Sequence, residues 1–158
     1  MTDTSSRRTF LILAVAGVGL TSAGCAKAAD GTKLTVYKSP TCGCCGAWID
    51  HMRGAGFSDI MVVDLDDLTA VRASRGIRDS YASCHTGVIG GYALEGHVPS
   101  TDVRRLLRER PAAIGLAVPG MPVGSPGMEM PGGGGEPFDT LLLMRDGSAK
   151  PFARHTPT

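Results

Sequence analysis

Three cysteines fall within four positions in the stretch Ser39-Pro40-Thr41-Cys42-Gly43-Cys44-Cys45-Gly46-Ala47-Trp48. A strand-like run precedes them and a helix-like run follows. At such a junction backbone N–H groups lack partners and the helix dipole favours negative charge. A thiol placed there ionises more readily than a free cysteine, and the thiolate is both nucleophile and metal ligand. Cys44 and Cys45 are adjacent, so their side chains diverge and do not close tidily on one ion together with Cys42. That crowding suits bridging thiolates in a multinuclear cluster, or a redox pair with a resolving thiol. Further along, Cys84 offers a fourth sulfur and His85 an imidazole. Thiolate and thioether donors select soft ions, Cu(I) above all. Zinc ranks lower, because a structural zinc site pairs its ligands in two spaced couples and here three stand together and one apart.

Two methionines extend the soft donor set. Met121 and Met128 lie in Pro119-Gly120-Met121-Pro122 and Pro126-Gly127-Met128-Glu129-Met130, and a thioether holds Cu(I) without losing a proton. Their alternative role is to pack an irregular loop onto the domain. Cys42 with Cys45 also forms a C-x-x-C, the pattern of dithiol oxidoreductases. A third thiol inside that motif invites scrambling, and the later loop, where such enzymes carry a proline, carries Cys84-His85 instead. The other histidines read as bystanders: His51 on a solvent-facing helix side, His97 as a structural residue before a helix, His155 unconstrained. Arg104, Arg105, Arg108 and Arg110 read as a solvated helix face.

These residues need elements to hold them. Leu34-Thr35-Val36-Tyr37 alternates as a first strand. Cys45, Trp48, Ile49 and Met52 recur at helical spacing over about 44–53, and Gly54 and Gly56 stop the helix. Ile60-Met61-Val62-Val63 is a continuous apolar run, which predicts a central strand covered on both faces. A modest helix spans about 68–75 and closes at Gly76. Val88-Ile89, Gly90-Gly91 and Tyr92-Ala93-Leu94 read as a hairpin. Ser100 is a candidate N-cap for a helix over 102–110 with Val103, Leu106 and Leu107 inward. The order β-α-β-α-β-β-α predicts an α/β, thioredoxin-like core, with Cys42 to Cys45 opening its first helix and Cys84-His85 on the loop brought against them. From Val118 to Pro137, 12 of 20 residues are Gly or Pro, which precludes a regular element. A late C-terminal strand follows over 138–144, with a turn at Asp146-Gly147.

The 158 residues suit one ordinary domain behind a leader. Arg7 and Arg8 precede a short apolar run, and Ser6-Arg7-Arg8-Thr9-Phe10-Leu11 resembles a twin-arginine export signal. Residues 1–28 are therefore expected to be the signal and 29–158 a single metal-binding domain, exported to the periplasm. Ala26-Lys27-Ala28 offers cleavage before Ala29. Ser22-Ala23-Gly24-Cys25 is a weaker lipobox-like site, and only lipid on Cys25 would tie the protein to a membrane. Removing 1–28 takes three basic and one acidic residue from totals of 16 and 15, leaving 13 against 14. That balance gives no electrostatic basis for nucleic-acid binding.

The motifs in order resemble one family. Tyr37-Lys38-Ser39-Pro40-Thr41-Cys42-Gly43-Cys44-Cys45, Ser83-Cys84-His85-Thr86, Gly90-Gly91-Tyr92, Glu95-Gly96-His97-Val98-Pro99 and the run from Gly115 to Glu129 are similar to the CopG-type periplasmic copper-resistance proteins. The likeness runs from about Leu34 to Phe152. It implies a thioredoxin-like fold, copper held through thiolates of Cys42, Cys44, Cys45 and Cys84, and a role in copper handling or Cu(I)/Cu(II) conversion beside other periplasmic copper-handling proteins. A binding protein is thus expected before an enzyme. The alternative is a thiol–disulfide oxidoreductase using Cys42 and Cys45.

Overall fold

The computed structural model describes Met1 and residues 32–157. The expected export signal and Cys25 lie outside the described residues. Among those described, no helix is long and apolar enough to cross a membrane.

Seven strands form one sheet in the order β2-β1-β3-β4-β5-β6-β7. β1 (Leu34–Lys38) runs parallel to β2 (Ile60–Asp64), and α1 (Gly43–Gly54) makes the crossover between them. α2 (Thr69–Arg75) and a short 3-10 turn (Asp79–Tyr81) lead to β3 (His85–Ile89), which pairs antiparallel with β1. β3 and β4 (Tyr92–Glu95) form the expected hairpin, and Gly90 and Gly91 both take positive φ, 56° and 88°, as its two-residue turn requires. α3 (Ser100–Glu109) then crosses to β5 (Gly115–Ala117), parallel to β4. The mixed α/β order β-α-β-α-β-β-α agrees with the sequence reading.

The core lies between the sheet and the helices. Cys45, Trp48, Ile49 and Met52 face it from α1, and Val103, Leu106 and Leu107 from α3. Trp48 is fully buried, and its indole Nε1–H donates to the Val98 carbonyl at 2.9 Å.

Three expectations need correction. β2 is an edge strand, not a central one, and Met61 and Val62 are 40% and 38% exposed. A continuous apolar run marks a covered strand only where neighbours flank it on both sides, and β2 has β1 alone. The single late strand is a hairpin: β6 (Phe138–Leu143) and β7 (Ala149–His155) join through the Asp146-Gly147 turn, and β5 docks on β6. Pro151 sits in β7, where an edge strand tolerates a missing N–H. The arginines on α3 are partly docked. Arg104 donates to the Ala55 carbonyl and stacks over Phe57, and Arg105 stacks 4.2 Å from the Phe152 ring centre.

Residues 118–137 form turns, as their glycines and prolines dictate, and fold back onto the start of α1. Gly127, at φ 87°, comes so close that a β-carbon there would fall 2.7 Å from Trp48 N and 2.9 Å from the Cys44 oxygen. This contact brings the methionine-bearing loop to the cysteines.

Candidate metal centre

Cys42 occupies the N-cap of α1 with no side-chain cap bond, and Cys44 and Cys45 stand in the first turn. Residues three apart share a helix face, and Cys42 and Cys45 are joined there as a disulfide. Cys44 stays a free thiol beside the pair. Its Sγ is 3.5 Å from Cys42 Sγ and 4.0 Å from Met121 Sδ. Cys84 arrives immediately before β3, and Cys45 Sγ lies 3.6 Å from its carbonyl oxygen. All four sulfurs lie within 4.8 Å of one another.

A buried carboxylate fixes the loop that carries Cys84. Glu95 is fully buried in β4, where its Oε1 accepts the Ser83 N–H at 2.7 Å and Arg72 Nε at 2.8 Å. Its Oε2 accepts the Thr86 hydroxyl at 2.6 Å. Arg72 also donates to the Ser83 carbonyl, and Ser83 Oγ donates to the Gly120 carbonyl. The residues flanking Cys84-His85 are therefore clamped on both sides, and the methionine loop is tied to the same point. Gly96 makes this possible, since a β-carbon there would lie 2.5 Å from the Val118 oxygen.

Two imidazoles face the Cys84 sulfur. His97 Nδ1 is 2.7 Å from the Pro126 carbonyl oxygen, which can only accept, so Nδ1 carries the proton. Its Nε2 therefore presents a lone pair, 2.9 Å from Cys84 Sγ. His85 Nδ1 lies 3.3 Å from the same sulfur, while Nε2 is buried with no hydrogen-bond partner among the described residues. The His85 ring packs 4.3 Å from Trp48 and edge-on to His97 at 5.2 Å. Burial drives His85 down to about 3, helped by the nearby His97, Arg72 and Lys38. Burial also lowers His97, against the opposing pull of the Pro126 bond and Glu129. Both rings are thus neutral, ligand-competent bases at neutral pH. Cys84 is pushed up to about 12 by burial first and by Cys44 second. Without metal it is a thiol whose S–H donates to His97 Nε2.

Two solved structures titled "Copper resistance protein copG", Forms 1 and 2, match this chain at 43% and 42% identity, each with a TM-score of 0.73. Each match covers 78% of this chain, and 97% and 98% of the respective structure. The chain belongs to the CopG copper-resistance family. A family described as "Protein of unknown function, DUF411" matches residues 81–128, the segment that holds Cys84, His97 and the methionine loop. No curated protein matches the sequence.

For this CopG-family chain, the structure brings together Cys42, Cys44, Cys45, Cys84, His85 and Met121, a cluster compatible with metal binding. Met128 takes part in the loop's own turns: its N–H donates to the Ser125 carbonyl at 2.7 Å and its carbonyl accepts Gly124 N–H at 2.9 Å. The histidines depart from expectation. His51 is half-buried and its Nε2 accepts the Ser100 N–H at 3.1 Å, so it caps α3 instead of facing solvent. His155 is tied down, stacked on Phe138 with Nε2 2.8 Å from Asp102 Oδ2. His97 is the one missed at the site. Its signal lay in the hairpin: extending the Thr86↔Glu95 register past His85 and Gly96 sets Cys84 opposite His97.

Proposed function

We propose that this protein binds Cu(I) through the thiolates of Cys42, Cys44, Cys45 and Cys84, with Met121 at the rim, and serves copper resistance after export to the periplasm. The observation that carries the reading is the convergence of four sulfurs from two separate segments to within 4.8 Å of one another. That spacing lets thiolates bridge several soft ions, and the donor set favours Cu(I) over zinc. The solved CopG structures are titled copper-resistance proteins at 42–43% identity, which supports the same chemistry here. Full loading needs the Cys42–Cys45 disulfide open. A redox step fits the same atoms: the dithiol gives two electrons to two Cu(II), yielding two Cu(I), the disulfide and two protons. Titrating reduced protein with Cu(I) against a chelator tests the reading. Two or more ions per chain, falling in Cys84→Ser, support it; fewer than two, or no loss in Cys84→Ser, overturn it.

The Cys42–Cys45 disulfide at a helix start is the observation that favours a second reading, thiol–disulfide exchange. Insulin reduction that persists in Cys44→Ser and ignores added copper would establish it instead.

A further inference from the structure

We propose that the free edge of β2 docks an extended segment of a partner protein, apolar in its middle and carrying lysine or arginine at its ends, which joins the sheet as an added strand. The proposal uses none of the metal-centre residues and does not rest on the copper reading. Ile60-Met61-Val62-Val63 has the composition of a strand flanked on both sides, yet β2 has β1 alone for a neighbour. Two backbone bonds fix which of its groups are free. Leu34 N–H donates to the Asp59 carbonyl at 2.8 Å, and Leu65 N–H to the Lys38 carbonyl at 2.9 Å. Bonding sides alternate along a strand, and the register with β1 is unbroken. Met61 and Val63 therefore also bond inward, and the N–H and C=O groups of Ile60, Val62 and Asp64 point outward. Side chains alternate as well, so Met61 and Val62, 40% and 38% exposed, present apolar surface on opposite faces of the rim. Natural edges are blunted by lysine, proline or a bulge. β7, the other edge, has Lys150, Pro151 and a register shift opposite Thr140 and Leu141. β2 has none of these.

Charge selects the occupant. From 57 to 67 the chain carries four aspartates and no lysine or arginine. Asp64 is paired with Lys38 at 3.2 Å, and Asp67 accepts the Thr69 N–H and hydroxyl. Asp59 and Asp66 have no ion pair among the described residues. A second copy of β2, paired antiparallel about Val62, would crowd aspartates together at both ends of the seam. A strand with cationic ends meets those carboxylates instead and lays its apolar middle against Met61 and Val62. In strand addition of this kind the backbone bonds supply affinity and the side chains choose the partner.

The probe is an acetylated, amidated heptapeptide, Lys-Lys-Val-Thr-Val-Lys-Lys, and the readout is amide hydrogen exchange followed residue by residue by NMR. In the free protein the Ile60, Val62 and Asp64 amides should exchange fast while those of Met61 and Val63 are protected. Added peptide should slow the first three saturably. The same peptide with glutamate for every lysine should bind roughly tenfold more weakly, and one N-methylated at every backbone nitrogen should not bind. Val62→Pro removes an outward donor and leaves the β1 ladder intact, a position where an edge strand tolerates proline. It should abolish peptide binding while Cu(I) uptake by the reduced protein stays at the wild-type count. Val62→Lys, which blunts the edge with a charge, takes its place if circular dichroism shows the proline variant unfolded. No slowing of the three amides, equal binding of the glutamate peptide, or full binding to the folded Val62 variant overturns the proposal. A wild-type dimer in sedimentation that the Val62 variant dissociates would put a second copy on this edge and overturn it too. Wild type that binds peptide but takes up no Cu(I) would sink the copper reading and leave this one standing.

Discussion

His85 is held neutral by burial, and that has a cost in acid. Its folded pKa lies near 3, against about 6.5 in an unfolded chain. Between those values the unfolded chain binds a proton that the folded one does not, so stability present above pH 6.5 drains away as pH falls toward 3. The expected slope is about 1.4 kcal/mol per pH unit for this residue, and His51 and His97 shift in the same direction. Urea unfolding of metal-free protein at pH 7.5, 6.5 and 5.5, followed by Trp48 fluorescence, should show the loss, and His85→Phe should flatten it. A slope unchanged in that variant would place the effect elsewhere. At this scale the sulfurs were legible, because clustered cysteines carry their chemistry in their spacing. His97 was not: its role follows from hairpin register and a carbonyl 29 positions downstream, neither of which shows in its neighbours.

The β3–β4 hairpin and the loop over 118–137 decide whether those residues meet. Glu95 is the hub, taking Arg72, Ser83 and Thr86 at once. Glu95→Gln keeps the shape and removes the charge, leaving Arg72 without its buried counter-ion. Breaking one side of such a pair costs about 3–5 kcal/mol, so a large drop in urea midpoint is expected, together with weaker Cu(I) retention as the Cys84 loop loosens. A variant as stable as wild type would show that the clamp matters little. Gly127→Ala tests the other contact. The positive φ alone costs roughly 1–2 kcal/mol, and the new methyl meets Trp48 N at 2.7 Å. Faster proteolysis within 118–137, with the rest of the domain intact, is the expected readout. Element order was readable because period and turn residues are local signals. The edge position of β2 and the pairing of β5 with β6 were not, since both depend on which strands neighbour which, and a three-residue strand such as Gly115–Ala117 carries almost no pattern of its own.

At the scale of the whole molecule, redox state and metal capacity belong to one equilibrium. The Cys42–Cys45 disulfide leaves Cys44 and Cys84 as the free thiols among the described residues, and the export proposed above would put the chain in an oxidising compartment that favours this closed pair. A ligating cysteine must be a thiolate, and a cysteine sulfur tied up in a disulfide carries no thiolate charge to offer Cu(I). Cu(I) and the disulfide therefore exclude each other at this pair. Two measurements follow from that exclusion. Unreduced protein should take up less Cu(I) than protein reduced with a thiol-free reductant, and the deficit should vanish in Cys42→Ser/Cys45→Ser, whose reduced and unreduced forms bind equally little. Conversely, Cu(I) loaded first should slow closure of the pair when oxidant is added, seen as delayed loss of alkylatable thiol after the metal is stripped. Equal Cu(I) uptake by the reduced and unreduced wild-type protein would mean that Cys42 and Cys45 lie outside the copper set, and the redox pair would then be the better account of the helix start.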